Sequence, residues 1–199
     1  MSKMNLPNKL TMLRMVLIPF FVAVYLLPES VISAAGSSLI AAAIFIAASV
    51  TDTLDGKIAR KYNLITDFGK LMDPLADKFL VMAALLVVIY RIDTLRLSFV
   101  FLTMVIIFRE LAVATVRSLV ASKGGKVMAA AMPGKIKTVC QMVCLVAVLV
   151  EPALWQLCGA EKLVRVMPLT GIFAVATLVM TVWSGIDYCR CAGQYIETK

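Results

Sequence analysis

Six stretches of the chain, near residues 10–27, 31–53, 73–91, 96–121, 134–154 and 165–188, are each apolar over about the length a helix needs to cross a bilayer. In hydrocarbon every backbone N–H and C=O must find a partner within the protein, so runs of this kind cross as helices. Only short connections are left between them. The expected fold is therefore an all-α integral membrane protein of six transmembrane helices, forming one membrane domain over residues 1–199. A short interfacial segment, Asn5-Leu6-Pro7-Asn8-Lys9-Leu10-Thr11, leads into the first helix. Lys9, Arg14, the apolar run to Leu27 and the small residues Ser33-Ala34-Ala35 imitate a signal peptide. The run is close to a full span in length, and it reads as helix one.

Charge narrows the partners. Twenty basic and 12 acidic residues give a formal charge of +8. Nucleic acid is not the expected partner, because aromatics are few and no polar face is long enough for a strand. Anionic headgroups or phosphorylated substrates fit better. Most Lys and Arg lie at the N-terminus (Lys3, Lys9, Arg14), in 56–70, in 117–137 and at the C-terminus, while the opposite connections carry Arg91 and Arg96, then Lys162 and Arg165. Positive-inside logic puts both termini on the cytoplasmic side. The lack of an Arg- and Ser-rich leader favours a bacterial plasma membrane. The five cysteines have no zinc-like spacing, and no disulfide framework is expected.

Charge inside such a chain is costly and is usually kept for function. Asp52, Asp55, Asp73 and Asp77 stand in the pattern Asp-x2-Asp-Gly-x2-Ala-Arg-x8-Gly-x3-Asp-x3-Asp. Asp52 and Asp55 are i, i+3; Asp73 and Asp77 are i, i+4; each pair shares a helix face. The chain turns between the pairs, so helices two and three are antiparallel and both pairs fall at one membrane level. Four converging carboxylates repel one another, and in a chain without histidine the relief expected is two Mg²⁺ or Mn²⁺ ions on oxygen ligands. Paired metals suit phosphoryl chemistry. Gly56 and Ala59 let a ligand approach the backbone, and Arg60 can meet a phosphate bidentately. The plainer reading makes the aspartates caps or members of a salt-bridge network with Lys57, Arg60, Lys70 and Lys78. On either reading Asp73-Pro74 is expected to open helix three, and Asp67 to lie in a loop.

This pattern resembles the signature of the CDP-alcohol phosphotransferases at each defining position. The resemblance implies transfer of a phosphoalcohol from a CDP-linked donor to an acceptor hydroxyl, with release of CMP. It implies six transmembrane helices, usually dimeric, with two metals at the cytoplasmic face. Asp52, Asp55, Asp73 and Asp77 would hold the metals, and Asp77 would also be the general base. Gly56, Ala59 and Arg60, with Gly69, would shape the CDP pocket.

A second polar cluster bears on the acceptor: Arg109, Glu110, Arg117, Lys135, Lys137, Thr138 and Gln141. Charges this close to apolar stretches are expected to face the bundle interior, although Lys and Arg also snorkel to the interface as anchors. A positive cavity beside the metals suits an acceptor that itself carries a phosphate. The stretches Leu6 to Arg14, Arg109 to Arg117, and Gly134 to Gln141 resemble family members that use CDP-diacylglycerol and sn-glycerol 3-phosphate. Inositol phosphate, serine and phosphatidylglycerol are the alternative acceptors within the family. A cation transporter is the alternative from another class, but Gly56, Ala59 and Arg60 do not serve ion passage, and no pair of interrupted helices marks a transporter core.

Overall fold

The structure is a computed structural model that describes residues 5–62, 66–122 and 132–196. Among them are seven helices and no strand: α1 (Leu6–Tyr25), α2 (Ala34–Lys61), α3 (Asp67–Arg91), α4 (Arg96–Ser122), α5 (Met132–Leu157), the short α6 (Glu161–Val166) and α7 (Pro168–Ile196). Five of them are long and apolar enough to cross a membrane: α1, α2, α4, α5 and α7. The chain is an all-α membrane protein. The sixth long helix, α3, is not among the five because Asp73, Asp77, Lys78 and Arg91 lie on it.

Helix α3 nonetheless runs the length of α1. At one end Asp73 meets Thr11, and at the other Arg91 donates to the Tyr25 carbonyl and lies over the Tyr25 ring. From residue 73 to residue 91 a helix rises about 27 Å, close to the hydrocarbon thickness. The core joins Phe21 and Tyr25 of α1, Phe45 and Ala48 of α2, Leu80 and Leu85 of α3, Ile106 of α4 and Leu145 and Leu149 of α5. Small residues on α2 (Ala41, Ala42, Ala48) are fully buried, as close packing in lipid requires. Large apolar side chains such as Phe20, Tyr90, Phe108 and Trp183 stay exposed on the outer face, where lipid can cover them.

Several boundaries differ from the sequence expectation. The stretch that leads into helix one is itself helical: α1 is continuous from Leu6, with Pro7 in its first turn, where a missing N–H costs nothing. Helix α3 opens at Asp67, not at Asp73-Pro74. Thr66 is its N-cap, accepting from the Gly69 N–H at 3.0 Å, so Pro74 lies inside the helix. Helix α5 continues past Pro152 to Leu157, three residues beyond the apolar stretch, and the turn after it holds Gly159 at φ +70°. The last apolar stretch is divided by Met167 at φ 48°, and Pro168 then starts α7. Residues 63–65 and 123–131 lie outside the described residues. The four described cysteines, Cys140, Cys144, Cys158 and Cys189, form no disulfide.

Candidate active site

Helix direction gathers the polar residues at one end of the bundle. The starts of α1, α3 and α5 and the ends of α2, α4 and α7 all meet there. Helix α1 contributes a stripe, Asn8, Thr11 and Arg14, at three-residue intervals and buried along its length. That stripe packs against the aspartate motif. Thr66 donates to Asn8 Oδ1 at 2.9 Å, Thr11 donates to Asp73 Oδ1 at 2.6 Å, and Arg14 pairs with Asp52 Oδ1 at 2.5 Å. Asp52 is partly exposed, whereas Arg14 is fully buried. Asp77 lies within electrostatic reach of both Asp52 and Arg14, and of Glu110 and Lys137 as well.

The donor chemistry here is carboxylate oxygen from facing helices, which fits hard divalent cations. Among the described residues, however, no three such side chains stand close enough together to hold a metal ion. The side chains of Asp55, Ala59 and Arg60 lie outside the described residues, although α2 continues as helix through all three positions. Gly56 is half-buried. Gly69 is buried, and a methyl group there would meet Asn8 Oδ1 at 3.2 Å and Thr66 Oγ1 at 3.3 Å. Its small size therefore lets α1 close onto the start of α3.

Beside Asp77 opens a cavity of about 160 Å³. Its polar lining is Asp77 and Lys78 of α3, Arg109, Glu110 and Arg117 of α4, Lys137, Thr138 and Gln141 of α5, and Tyr188 of α7. Glu110 is the hub. It accepts from Lys137 at 2.7 Å and from Arg109 at 2.9 Å, and Lys78 stands 4.0 Å away. Lys137 is almost fully buried, so its charge depends on that partner. Four basic and two acidic side chains line the space, a formal surplus of two positive charges.

Six of the seven residues expected around the acceptor therefore line one cavity. Lys135 is the exception. It is exposed and does not line the cavity, because residues two apart on a helix point about 200° apart. Sequence reasoning gives no role to Asn8, Thr11 or Arg14 individually, places Lys78 only in a salt-bridge network with the aspartates, and misses Ser184 and Tyr188 altogether. Ser184 accepts from Arg109 Nε at 3.1 Å, and Tyr188 Oη accepts from Arg117 Nε at 2.5 Å. The signal for α7 was its hydroxyl spacing: Thr177, Thr181, Ser184 and Tyr188 follow a 4-3-4 rhythm, and all four are buried.

A family model described as CDP-alcohol phosphatidyltransferase matches residues 4–183. The chain is 40% identical to the CDP-diacylglycerol–glycerol-3-phosphate 3-phosphatidyltransferase of Bacillus subtilis (strain 168), over 98% of both chains. It is 37% identical to the protein of the same name from Escherichia coli (strain K12), and 36% identical to that of Shigella flexneri serotype 5b, each over 94% of both chains. The chain belongs to the CDP-alcohol phosphatidyltransferase family.

Proposed function

We propose that this enzyme transfers a phosphatidyl group from CDP-diacylglycerol to sn-glycerol 3-phosphate, giving phosphatidylglycerophosphate and CMP in phospholipid synthesis. The observation that carries the reading is the cavity: a carboxylate, Asp77, on one wall and a surplus of positive charge on the others. A phosphate monoester carries roughly −1.5 to −2 at neutral pH, which that surplus matches. The names of the relatives point to the same two substrates.

Asp52, Asp55, Asp73 and Asp77 would hold two divalent cations, Mg²⁺ or Mn²⁺, which when bound would neutralise charge on the phosphate oxygens. Gly56, Ala59, Arg60 and Gly69 shape the CDP pocket. Arg109, Arg117 and Lys137 hold the acceptor phosphate, while Thr138 and Gln141 offer hydrogen bonds to its hydroxyls. Glu110 keeps Lys137 charged and in place. Lys135, on the exposed flank of α5, adds to the field that draws an anion in. Asp77 takes the proton from the acceptor hydroxyl. That oxygen forms a bond to the phosphorus bearing diacylglycerol, the bond from this phosphorus to the CMP oxygen breaks, and CMP leaves. Positioned proton transfer contributes about 10²–10⁴-fold, and orientation supplies much of the rest.

The protein acts as a multi-pass membrane protein with six crossings, α3 being the sixth. Both termini and the site face the cytoplasm of the cell in which the chain sits in the plasma membrane, and two copies assemble as a homodimer. Supplying acceptors one at a time tests the reading. CMP release with glycerol 3-phosphate and not with serine, inositol phosphate or phosphatidylglycerol supports it; release with another of these alone moves the acceptor assignment. Metal flux into liposomes without CMP release would replace the enzyme by a transporter.

A further inference from the structure

We propose that Ser184 and Tyr188, one turn apart on α7, are positioning residues that aim Arg109 and Arg117 at a phosphate group in the cavity. The inference rests on the acceptor reading just given, and it names what sets the geometry of that site.

Each arginine is held by the same atom. Arg109 donates through Nε to Ser184 at 3.1 Å, and Arg117 donates through Nε to Tyr188 at 2.5 Å. The guanidinium is a rigid planar fork, so a fixed Nε sets the direction of the terminal nitrogens. The Ser184 hydroxyl is itself oriented: it donates back to the Thr181 carbonyl at 3.2 Å, which turns its lone pair to Arg109. The Tyr188 ring adds a second constraint, with the Arg117 guanidinium carbon 5.3 Å from its centroid. Ser184 is 1% exposed and Tyr188 4% exposed, so packing holds both side chains in place.

The spacing is informative. Residues 109 and 117 rise about 12 Å apart along α4, whereas residues 184 and 188 rise about 6 Å apart along α7. Holding both arginines on α7 therefore draws their heads together, as a shared phosphate requires. Arg109 is further confined between helices, with its Nη2 3.5 Å from where a Gly134 methyl would stand and its Cγ 3.5 Å from one at Gly185. Neither Ser184 nor Tyr188 need touch the reacting atoms. The expected role is discrimination for a phosphorylated acceptor over the same alcohol without phosphate.

The test uses the full chain in detergent, comparing Tyr188→Phe and Ser184→Ala with the unsubstituted protein. Inorganic phosphate serves as a competitive probe of the same subsite. Removing a hydrogen bond to a charged group should raise the KM for glycerol 3-phosphate about tenfold, and the inhibition constant for phosphate in step. The KM for CDP-diacylglycerol and kcat should stay within about twofold, and Ser184→Thr should restore the Ser184→Ala loss. Equal effects on both substrates, or a lowered Tm with KM and phosphate inhibition unchanged, would overturn the proposal. If either variant fails to fold, the other carries the test. Failure of the unsubstituted protein to release CMP with glycerol 3-phosphate would overturn the acceptor reading itself, and that control alone tells the two failures apart.

Discussion

Thr11 donates a hydrogen bond to Asp73 Oδ1 at 2.6 Å, tying the first helix to the second half of the aspartate motif. The contact joins residues 62 apart in sequence. It makes α1 part of the site: Asn8, Thr11 and Arg14 brace Thr66, Asp73 and Asp52 in turn.

The first prediction concerns that brace. Thr11→Val keeps the side-chain shape and removes the hydroxyl. Partners of metal-binding side chains are typically worth about 10–100-fold in metal affinity or activity. The divalent-ion concentration for half-maximal CMP release is expected to rise by about tenfold, with the KM for glycerol 3-phosphate little changed. An unchanged metal requirement would remove α1 from the account.

The second concerns Lys137 and Glu110. Removing one partner of a buried ion pair costs about 3–5 kcal/mol, because the other charge is left without compensation. Glu110→Gln and Lys137→Met should each lower Tm, and Lys137→Met should also raise the KM for glycerol 3-phosphate. The double substitution should be less unstable than the sum of the singles. Lys135→Ala, on the exposed flank, should leave Tm unchanged and raise that KM far less than Lys137→Met does.

The third lies at the opposite end of the bundle. Glu151 is buried, and its Oε1 accepts from Trp155 Nε1 and the Leu169 N–H at 2.9 Å, while Oε2 accepts from the Thr170 N–H at 2.6 Å. The carboxylate thus caps the start of α7 from α5, where the helix dipole favours negative charge. Glu151→Gln would set an NH₂ against one of these donors. Each unsatisfied buried group costs about 1–3 kcal/mol. Thermal stability in detergent should fall, and the KM values of the surviving enzyme should not move.

Much of this was legible in the sequence, because apolar length and carboxylate spacing survive without knowledge of packing. The six long helices are where the apolar runs put them. Asp77, Arg109, Glu110 and Arg117 meet at one cavity, as i, i+7 spacing on one helix and a turn between helices suggest. What was not legible depends on which helices touch. Asn8, Thr11 and Arg14 read as a polar helix start, and their partners appear only when α1 packs on α2 and α3. Lys135 and Lys137 look alike as letters, and helix phase alone separates them. Asp73-Pro74 looked like a helix start because proline suits one, yet Thr66 had already capped that helix a turn and more earlier. Ser184 and Tyr188 belong to a hydroxyl rhythm that marks one face of α7, but the arginines that face meets appear only when α4 packs on α7.

The central claim is that Asp77 and the basic wall facing it serve one reaction. The most direct measurement is glycerol 3-phosphate-dependent CMP release by purified Asp77→Asn and unsubstituted protein, with CDP-diacylglycerol and Mg²⁺ or Mn²⁺, alongside CDP-diacylglycerol binding. The account predicts release by the unsubstituted protein that needs both metal and glycerol 3-phosphate, and its loss in Asp77→Asn with donor binding largely kept. Undiminished release by Asp77→Asn would contradict it.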